Sequence, residues 1–160
     1  MAQVDFFLKL EGVDGESEDA KHKGEMQLES WSWGETNRGT MDYGGGGGAG
    51  KVSMQDFTFV KKIDKGSPKL VEKCASGEHI QKATLIARKA GKEQQEYLKI
   101  EFTDCLVSSY QTGGSDVVPL DTISLNFAKI VLEYKEQKKD GTLGGGIKGG
   151  WDVKQNQSAA

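Results

Sequence analysis

The residues that most resemble a chemical site are a glycine run that ends in a lysine, Gly45 to Lys51. Their spacing matches G-x-x-x-x-G-K, a loop whose backbone N–H groups hold phosphate. Such a site also needs a Ser or Thr after the lysine to bind magnesium, and a helix whose N-terminus faces the phosphate. Here the next residue is Val52, and the segment that follows is strand-like. We therefore expect no nucleotide site and no cofactor here.

The remaining polar residues do not form a recognisable catalytic or metal site. His22 lies in a charged segment and His79 follows a predicted helix, and neither has Cys or Glu at metal-ligand spacing. Ser32, Ser108 and Ser109 lack the G-x-S-x-G pattern of an activated nucleophile. The sequence thus indicates a protein that is not an enzyme, and predicts that both histidines are ordinary surface or packing residues.

The overall composition limits the classes of partner. The net charge is −3, with 21 basic and 24 acidic residues, which does not suit a nucleic-acid-binding protein that must neutralise phosphates. No apolar run approaches the ~18 residues of a membrane span, and Met1–Leu10 lacks the uninterrupted apolar stretch of a signal peptide. Cys74 and Cys105 lie in apolar surroundings and are expected to be buried free thiols.

The apolar residues recur with a period of two, which predicts strands. The predicted strands are Val4–Leu10, Glu25–Trp33, Lys51–Ile63, His79–Lys89, Glu96–Gln111, Asp121–Glu133 and Trp151–Val153. Gly34–Gly50 has almost no core-forming residues and is predicted to be a long loop. One helix is predicted over Asp64–Ser76, with Ser67 as its N-cap, Pro68 in its first turn and Gly77 at its end.

The parity of the apolar residues changes within the second predicted strand. Met26 and Leu28 share one parity, and Trp31 and Trp33 share the other. A bulge near Ser30 would bring all four to one face, because an extra residue shifts the alternation by one. Similar changes recur in two later strands, and bulges curve sheets into barrels. The sequence therefore predicts a mainly β chain: an antiparallel barrel of two curved sheets, or a tight sandwich, with one flanking helix and a long glycine-rich loop.

The tandem indoles leave two interpretations open. If Trp31 and Trp33 pack in the core, Gln27, Glu29 and Ser32 lie on the other face of the strand, which would line a wide aqueous channel if several subunits closed into a ring. If the indoles are exposed instead, they would form a stacking platform for sugars, as in a monomeric β-sandwich that binds glycans. The length predicts one domain over residues 1–154, followed by a flexible tail at 155–160.

Short segments in order along nearly the whole chain match the pattern of one known family. They are Phe6–Leu10, Val13–Ser17, Trp31–Gly34, Gly50–Val52 after the glycine run, Gln55–Asp56, Lys62–Lys65, Cys74–Gly77, Ala87–Gly91, Val107–Ser109, Ser124–Ala128 and Gly150–Val153. Together they resemble the haemolysin co-regulated protein (Hcp) family, the tube proteins of type VI secretion. No single segment carries the resemblance.

The resemblance implies a β-barrel that assembles into a hexameric ring with a wide pore. It further implies that rings stack into a tube similar to a phage tail tube, with a contractile sheath around it, a baseplate, a trimeric spike at the tip and effectors as cargo in the pore. Subunits of this family are made in the cytoplasm and reach the outside when the tube is ejected. This route agrees with the lack of a visible signal peptide.

In the Hcp family, a long loop after the second strand helps neighbouring rings to stack, and the matching segment here is Gly34–Lys51. The resemblance therefore implies an assembly role for Arg38, Met41, Asp42, Tyr43, Gly44, Gly45, Gly46, Gly47, Gly48, Gly50 and Lys51. It implies no catalytic or metal-binding residue. The chain resembles the plain tube form, without an added effector domain.

Overall fold

The computed structural model describes residues 4–39, 49–89 and 94–160. Within these ranges the chain is mainly β, as predicted, with one helix and antiparallel strand pairing throughout. The strands are β1 (Val4–Leu10), β2 (Met26–Leu28), β3 (Ser30–Ser32), β4 (Glu35–Gly39), β5 (Ala49–Met54), β6 (Phe57–Lys62), β7 (Ile80–Lys89), β8 (Glu96–Gly113), β9 (Leu120–Gln137), β10 (Leu143–Asp152) and β11 (Gln157–Ser158), and helix α1 is Ser67–Ser76. No helix in the described ranges is long and apolar enough to cross a membrane.

The strand pairings form an open path whose two ends are consecutive in the chain. From β2 the paired order is β1, β7, β8, β9, β6 and β3. One residue, Glu29, separates β2 from β3, and its N–H donates a hydrogen bond of 2.8 Å to the Val60 carbonyl of β6. The step at Glu29 is the bulge that the parity change predicts, one position before Ser30. This order is that of the predicted antiparallel barrel.

The barrel core is apolar and rich in aromatic rings. The Phe57 ring centroid lies 4.7 Å from that of Phe102, and both side chains are fully buried. Met26 is fully buried beside them, and Trp31 and Trp33 are partly buried against the same core. The bulge therefore keeps both halves of the predicted second strand facing the core, although their parities differ.

Helix α1 begins at Ser67, and the prediction that Ser67 is its N-cap is wrong. Gly66 occupies the cap position, and no side chain caps the helix. The Ser67 hydroxyl instead accepts hydrogen bonds from the Asp64 N–H at 3.0 Å and from Lys61 Nζ at 2.9 Å. A buried ionic cluster thus uses the group that would otherwise cap the helix. Gly77 ends the helix at a φ of 73°, as predicted.

The predicted long loop at Gly34–Gly50 is wrong at its two flanks. Glu35–Gly39 and the first residues of Ala49–Met54 form the hairpin strands β4 and β5. The predicted single strand Lys51–Ile63 is two strands, because the chain leaves the hairpin at Gln55–Asp56 and joins the barrel as β6. Every residue of β4 is exposed, so no apolar alternation marks it as a strand.

The C-terminal region contains more strand than the sequence predicts. β10 covers ten residues where only Trp151–Val153 was expected, because its many glycines leave no apolar alternation to detect. The predicted tail at 155–160 contains β11, in which Ser158 pairs with Trp151 and Gln157 with Asp152. The last residues therefore lie along the end of β10.

Candidate assembly and channel surfaces

The side of β2 and β3 that faces away from the core is polar. Gln27, Glu29 and Ser32, the residues predicted to line a channel, all have exposed side chains. Ser30 is exposed as well. Because the alternation restarts after the bulge, the apolar residues stay on the core side and these polar residues stay outside. The structure therefore brings the three predicted residues onto one polar strand surface.

Short hydroxyl side chains continue this polar surface across three more strands. Ser32 of β3 is paired with Thr58 of β6, Thr58 with Ser124 of β9, and Ser124 with Ser109 of β8. The hydroxyls of Thr58 and Ser124 are 3.0 Å apart. Directly opposed residues of antiparallel strands point to the same side, so the four side chains form one line, here called the hydroxyl row.

Only one member of the hydroxyl row, Ser32, was predicted from the sequence. The alternation of Thr58 with the buried Phe57 and Phe59 places Thr58 outside the barrel, and that signal was available. The strand register that aligns Thr58 with Ser124 and Ser109 was not, because it depends on pairings between distant segments.

A carboxylate adjoins the hydroxyl row at its edge. Asp56 accepts hydrogen bonds from the Ser108 hydroxyl at 2.5 Å and from the Asn126 side-chain amide at 3.0 Å. Ser108 and Asn126 are both exposed. This carboxylate is therefore held in place by two neutral donors, and the surface around the row stays polar.

The assembly segment expected from the sequence begins and ends in the hairpin β4–β5. Its register pairs Glu35 with Met54 and Asn37 with Val52. Arg38 in β4 and Lys51 in β5 are exposed, and Gly50 is also in β5. The other residues of the expected assembly segment lie outside the described residues; they are Met41, Asp42, Tyr43, Gly44, Gly45, Gly46, Gly47 and Gly48.

A groove of about 680 Å³ separates the hairpin from β9 and β10. It is lined by the apolar residues Trp33, Ile130, Leu132 and Trp151 and by residues of β4. The indole N–H groups of Trp33 and Trp151 are buried and have no hydrogen-bond partner among the described residues. The hairpin thus stands beside an apolar surface of the barrel and is not packed tightly onto it.

The sequence pattern that resembles a phosphate loop, Gly45–Lys51, ends within a strand. Its last residue, Lys51, lies in β5, and the next element is β6. A phosphate loop would lead into a helix N-terminus, and the geometry after Lys51 provides none. Among the residues of 4–39, 49–89 and 94–160, no group of three or more His, Cys, Asp and Glu side chains could hold a metal ion.

A comparison with known families decides the identity of this barrel. Residues 7–134 match the family described as "Type VI secretion system effector, Hcp". The chain belongs to the Hcp family. The resemblance found in the sequence is therefore confirmed, and the chain is an Hcp-type protein of type VI secretion.

Relatives of this Hcp chain match it over almost its full length. The protein hcp1 of Pseudomonas aeruginosa is 48% identical over an alignment of 160 positions, and this alignment covers 98% of this chain and 99% of that protein. The crystal structure of Hcp1 from Salmonella typhimurium has a TM-score of 0.84 at 40% identity, and the match covers 99% of this chain and 100% of that one. A structure described as a type six secretion system protein has a TM-score of 0.89 at 33% identity, covering 97% and 99%.

Proposed function

We propose that this Hcp chain is the tube subunit of a type VI secretion system. Six copies close into a ring, rings stack into a tube, and effectors travel in the pore. The observation that supports this proposal most directly is the hydroxyl row, which crosses four adjacent strands on the outer side of a barrel with an apolar core.

The chemistry of the hydroxyl row suits the wall of a wet channel. Short hydroxyl side chains hold water through one donor and two acceptor positions each. They project little, so they leave the passage wide and offer cargo no apolar surface on which to adhere. The neighbouring line of cross-strand partners is also short or neutral, and consists of Ser30, Val60, Thr122 and Gln111.

Closure into a ring would cover an exposed strand edge. β10 is paired with β9 along one edge, whereas its other edge is paired within the described residues only at Trp151 and Asp152. A free edge from Leu143 to Gly149 is an aggregation hazard for a monomer. A ring of identical copies uses a head-to-tail interface that closes on itself, and such an interface can bury this edge.

The hairpin β4–β5 is the proposed ring-stacking element. All five residues of β4 are exposed, and Arg38 and Lys51 add positive charge to the hairpin. The hairpin forms its own two-stranded sheet, separate from the barrel sheet. An isolated two-stranded hairpin is only marginally stable in water, so contact with a neighbouring ring would supply the packing that one chain lacks.

The further partners and the location follow from the tube role. The tube is assembled in the cytoplasm within a contractile sheath, on a baseplate and beneath a spike trimer, and is then ejected from the cell. The alternative of a monomeric glycan-binding module has less support, since Trp31 and Trp33 are partly buried against the core and do not form an open platform.

The proposed channel role is tested by replacing a small residue of the row with a larger one. Ser32→Gln should narrow the pore at six positions and reduce the amount of effector that co-purifies with the rings. Ser115→Gln, at an exposed residue outside the row, is the matched control and should retain cargo as the wild type does. Equal cargo retention by both variants, with rings intact in electron micrographs, would contradict the role of Ser32 in lining the channel.

A further inference from the structure

The segment Glu11–Glu25, which joins β1 to β2, covers the outer face of the barrel at Phe7. Leu8 and Leu10 of β1 point into the core, so Phe7 points outward. Phe7 is nevertheless only 1% exposed. The ring of His22 stacks on it with centroids 4.4 Å apart and an interplanar angle of 12°. His22 is therefore one of the contacts that pack the segment on the barrel, beside the buried Val13.

His22 is buried, and both of its ring nitrogens face carboxylates. The residue is 5% exposed. Nδ1 lies 3.1 Å from each carboxylate oxygen of Glu25, and Nε2 lies 2.7 Å from Oε1 of Glu96. Glu25 belongs to the segment, whereas Glu96 is the first residue of β8. A neutral imidazole carries one N–H and can satisfy one of these carboxylates, whereas the protonated ring donates to both.

The other charged groups near His22 are three residues centred on Arg88. Arg88 of β7 lies on the Phe7 ring, 4.7 Å from its centroid, and is bonded to Asp19 of the segment and, at 3.5 Å, to Asp5 of β1. The hydrogen bond from Arg88 holds the pKa of Asp19 well below its usual range, against the opposing effect of burial. The pair of Arg88 and Asp19 is therefore a second anchor of the segment, beside His22.

We propose that His22 is a pH-sensitive latch that holds the segment Glu11–Glu25 on the barrel. In the protonated state the ring joins Glu25 to Glu96 and fastens the segment to β8. Once the proton is lost, one nitrogen lone pair faces a carboxylate and the segment loosens. Because the protonated ring donates to both carboxylates, the latch closes as the pH falls and weakens as the pH rises.

Loosening of the latch would also change the polar surface of the barrel. Glu16 and Ser17 of the segment line a groove of about 530 Å³ together with Gln27 and Glu29. Glu16 also accepts a hydrogen bond of 2.9 Å from the Lys65 N–H, just before α1. The wall of this groove is thus formed in part by a segment to whose hold on the barrel His22 contributes.

Hydrogen exchange of the full-length protein tests the latch. Amides of residues 15–25 are followed at about pH 6 and about pH 8, after correction for intrinsic exchange, in the wild type, His22→Gln and His79→Gln. We expect the protection of these amides in the wild type to fall about tenfold from the lower to the higher pH. A tenfold change is the effect expected for the loss of one charge-assisted hydrogen bond. His22→Gln should show no such change. His79→Gln is the matched control, since His79 is exposed and bound to Asp104, and should behave as the wild type does.

A second measurement needs no substitution. Nitrogen chemical shifts of the imidazole rings in the wild type report whether each ring nitrogen carries a proton. At the pH at which residues 15–25 are protected, we expect both nitrogens of His22 to be protonated. A single neutral tautomer in that protected state, or equal protection of residues 15–25 at both pH values in the wild type, would overturn the proposal.

Discussion

Lys61 and Asp121 form an ion pair in the interior of the protein, with 3.0 Å between Lys61 Nζ and Asp121 Oδ2. Their side chains are 1% and 0% exposed. Lys61 also donates to Asp64 at 2.8 Å, and the Ser67 hydroxyl donates to Asp121. Burial alone would raise the pKa of Asp121, but the hydrogen bonds from Ser67 and Lys61 outweigh it and hold the pKa below its usual value. The cluster joins β6, β9 and the start of α1.

Removal of the buried lysine should destabilise the fold strongly. Lys61→Met leaves the buried Asp121 carboxylate without its cation, and breaking one partner of such a pair costs roughly 3–5 kcal/mol of unfolding free energy. Lys62→Met is the matched control, because the Lys62 side chain is 66% exposed, and it should stay within about 0.5 kcal/mol of the wild type. Urea denaturation measures both. Equal stability of the two variants would show that the ion pair is not important for the fold.

The pair formed by Asp19 and Arg88 predicts a loss of stability in acid. The pKa of Asp19 lies below its usual value in the native state, so the unfolded chain binds a proton before the native chain does. The stabilisation is therefore complete above the usual aspartate range, near pH 4, and is lost as the pH falls through the native value. Asp19→Asn should have a flatter stability profile between about pH 5 and pH 2, measured as urea midpoints. Parallel profiles of wild type and variant would contradict this prediction.

A glycine of β10 should not accept a methyl group. A Cβ at Gly150 would lie 2.5 Å from the Ile130 carbonyl oxygen, which belongs to the paired backbone and cannot move away freely. Gly150→Ala should lower the unfolding free energy by about 1–3 kcal/mol. At the adjacent Gly149 a Cβ would meet nothing within 4 Å, so Gly149→Ala should be nearly neutral. Thermal unfolding of both variants measures the two losses of stability. A greater loss for Gly149→Ala than for Gly150→Ala would contradict the structure.

The two free thiols should differ in reactivity. Burial raises the pKa of Cys105 to about 12, and the side chain is 0% exposed, so it supplies almost no thiolate to a reagent. Cys74 on α1 is half-buried. A thiol reagent at about pH 8 should label Cys74 in the folded protein and Cys105 only after unfolding. Cys74→Ser should abolish the fast labelling, and persistence of a fast phase in that variant would contradict the burial of Cys105.

The parts of the fold that the sequence predicts are those in which apolar residues alternate. β1 and the bulge between β2 and β3 fall into this class. The end of α1 was predicted from a different local signal, the glycine at Gly77. The hairpin strand Glu35–Gly39 and most of β10 could not be predicted, since one is exposed at every residue and the other is rich in glycine. Both segments are strands because they form hydrogen bonds with a neighbouring strand. The periodicity of apolar residues in one sequence carries no information about such pairing.

The site was predictable only in part, for a related reason. Ser32 follows from alternation within one strand, but its alignment with Ser109 depends on three successive strand pairings. The role of His22 depends on Glu96, which is 74 residues away in the sequence. Contacts of this kind are set by register and by the path of a connecting segment, and neither leaves a local pattern.

The central claim is that several copies of this chain surround a hollow axis. The most direct test is the mass of the purified protein in solution by light scattering, combined with negative-stain images of the same sample. The tube role predicts a particle of six times the 17.4 kDa of one chain, seen as rings with an open centre, and stacks of rings at high concentration. A mass of one chain at every concentration and in every buffer, with no rings in the images, would contradict it.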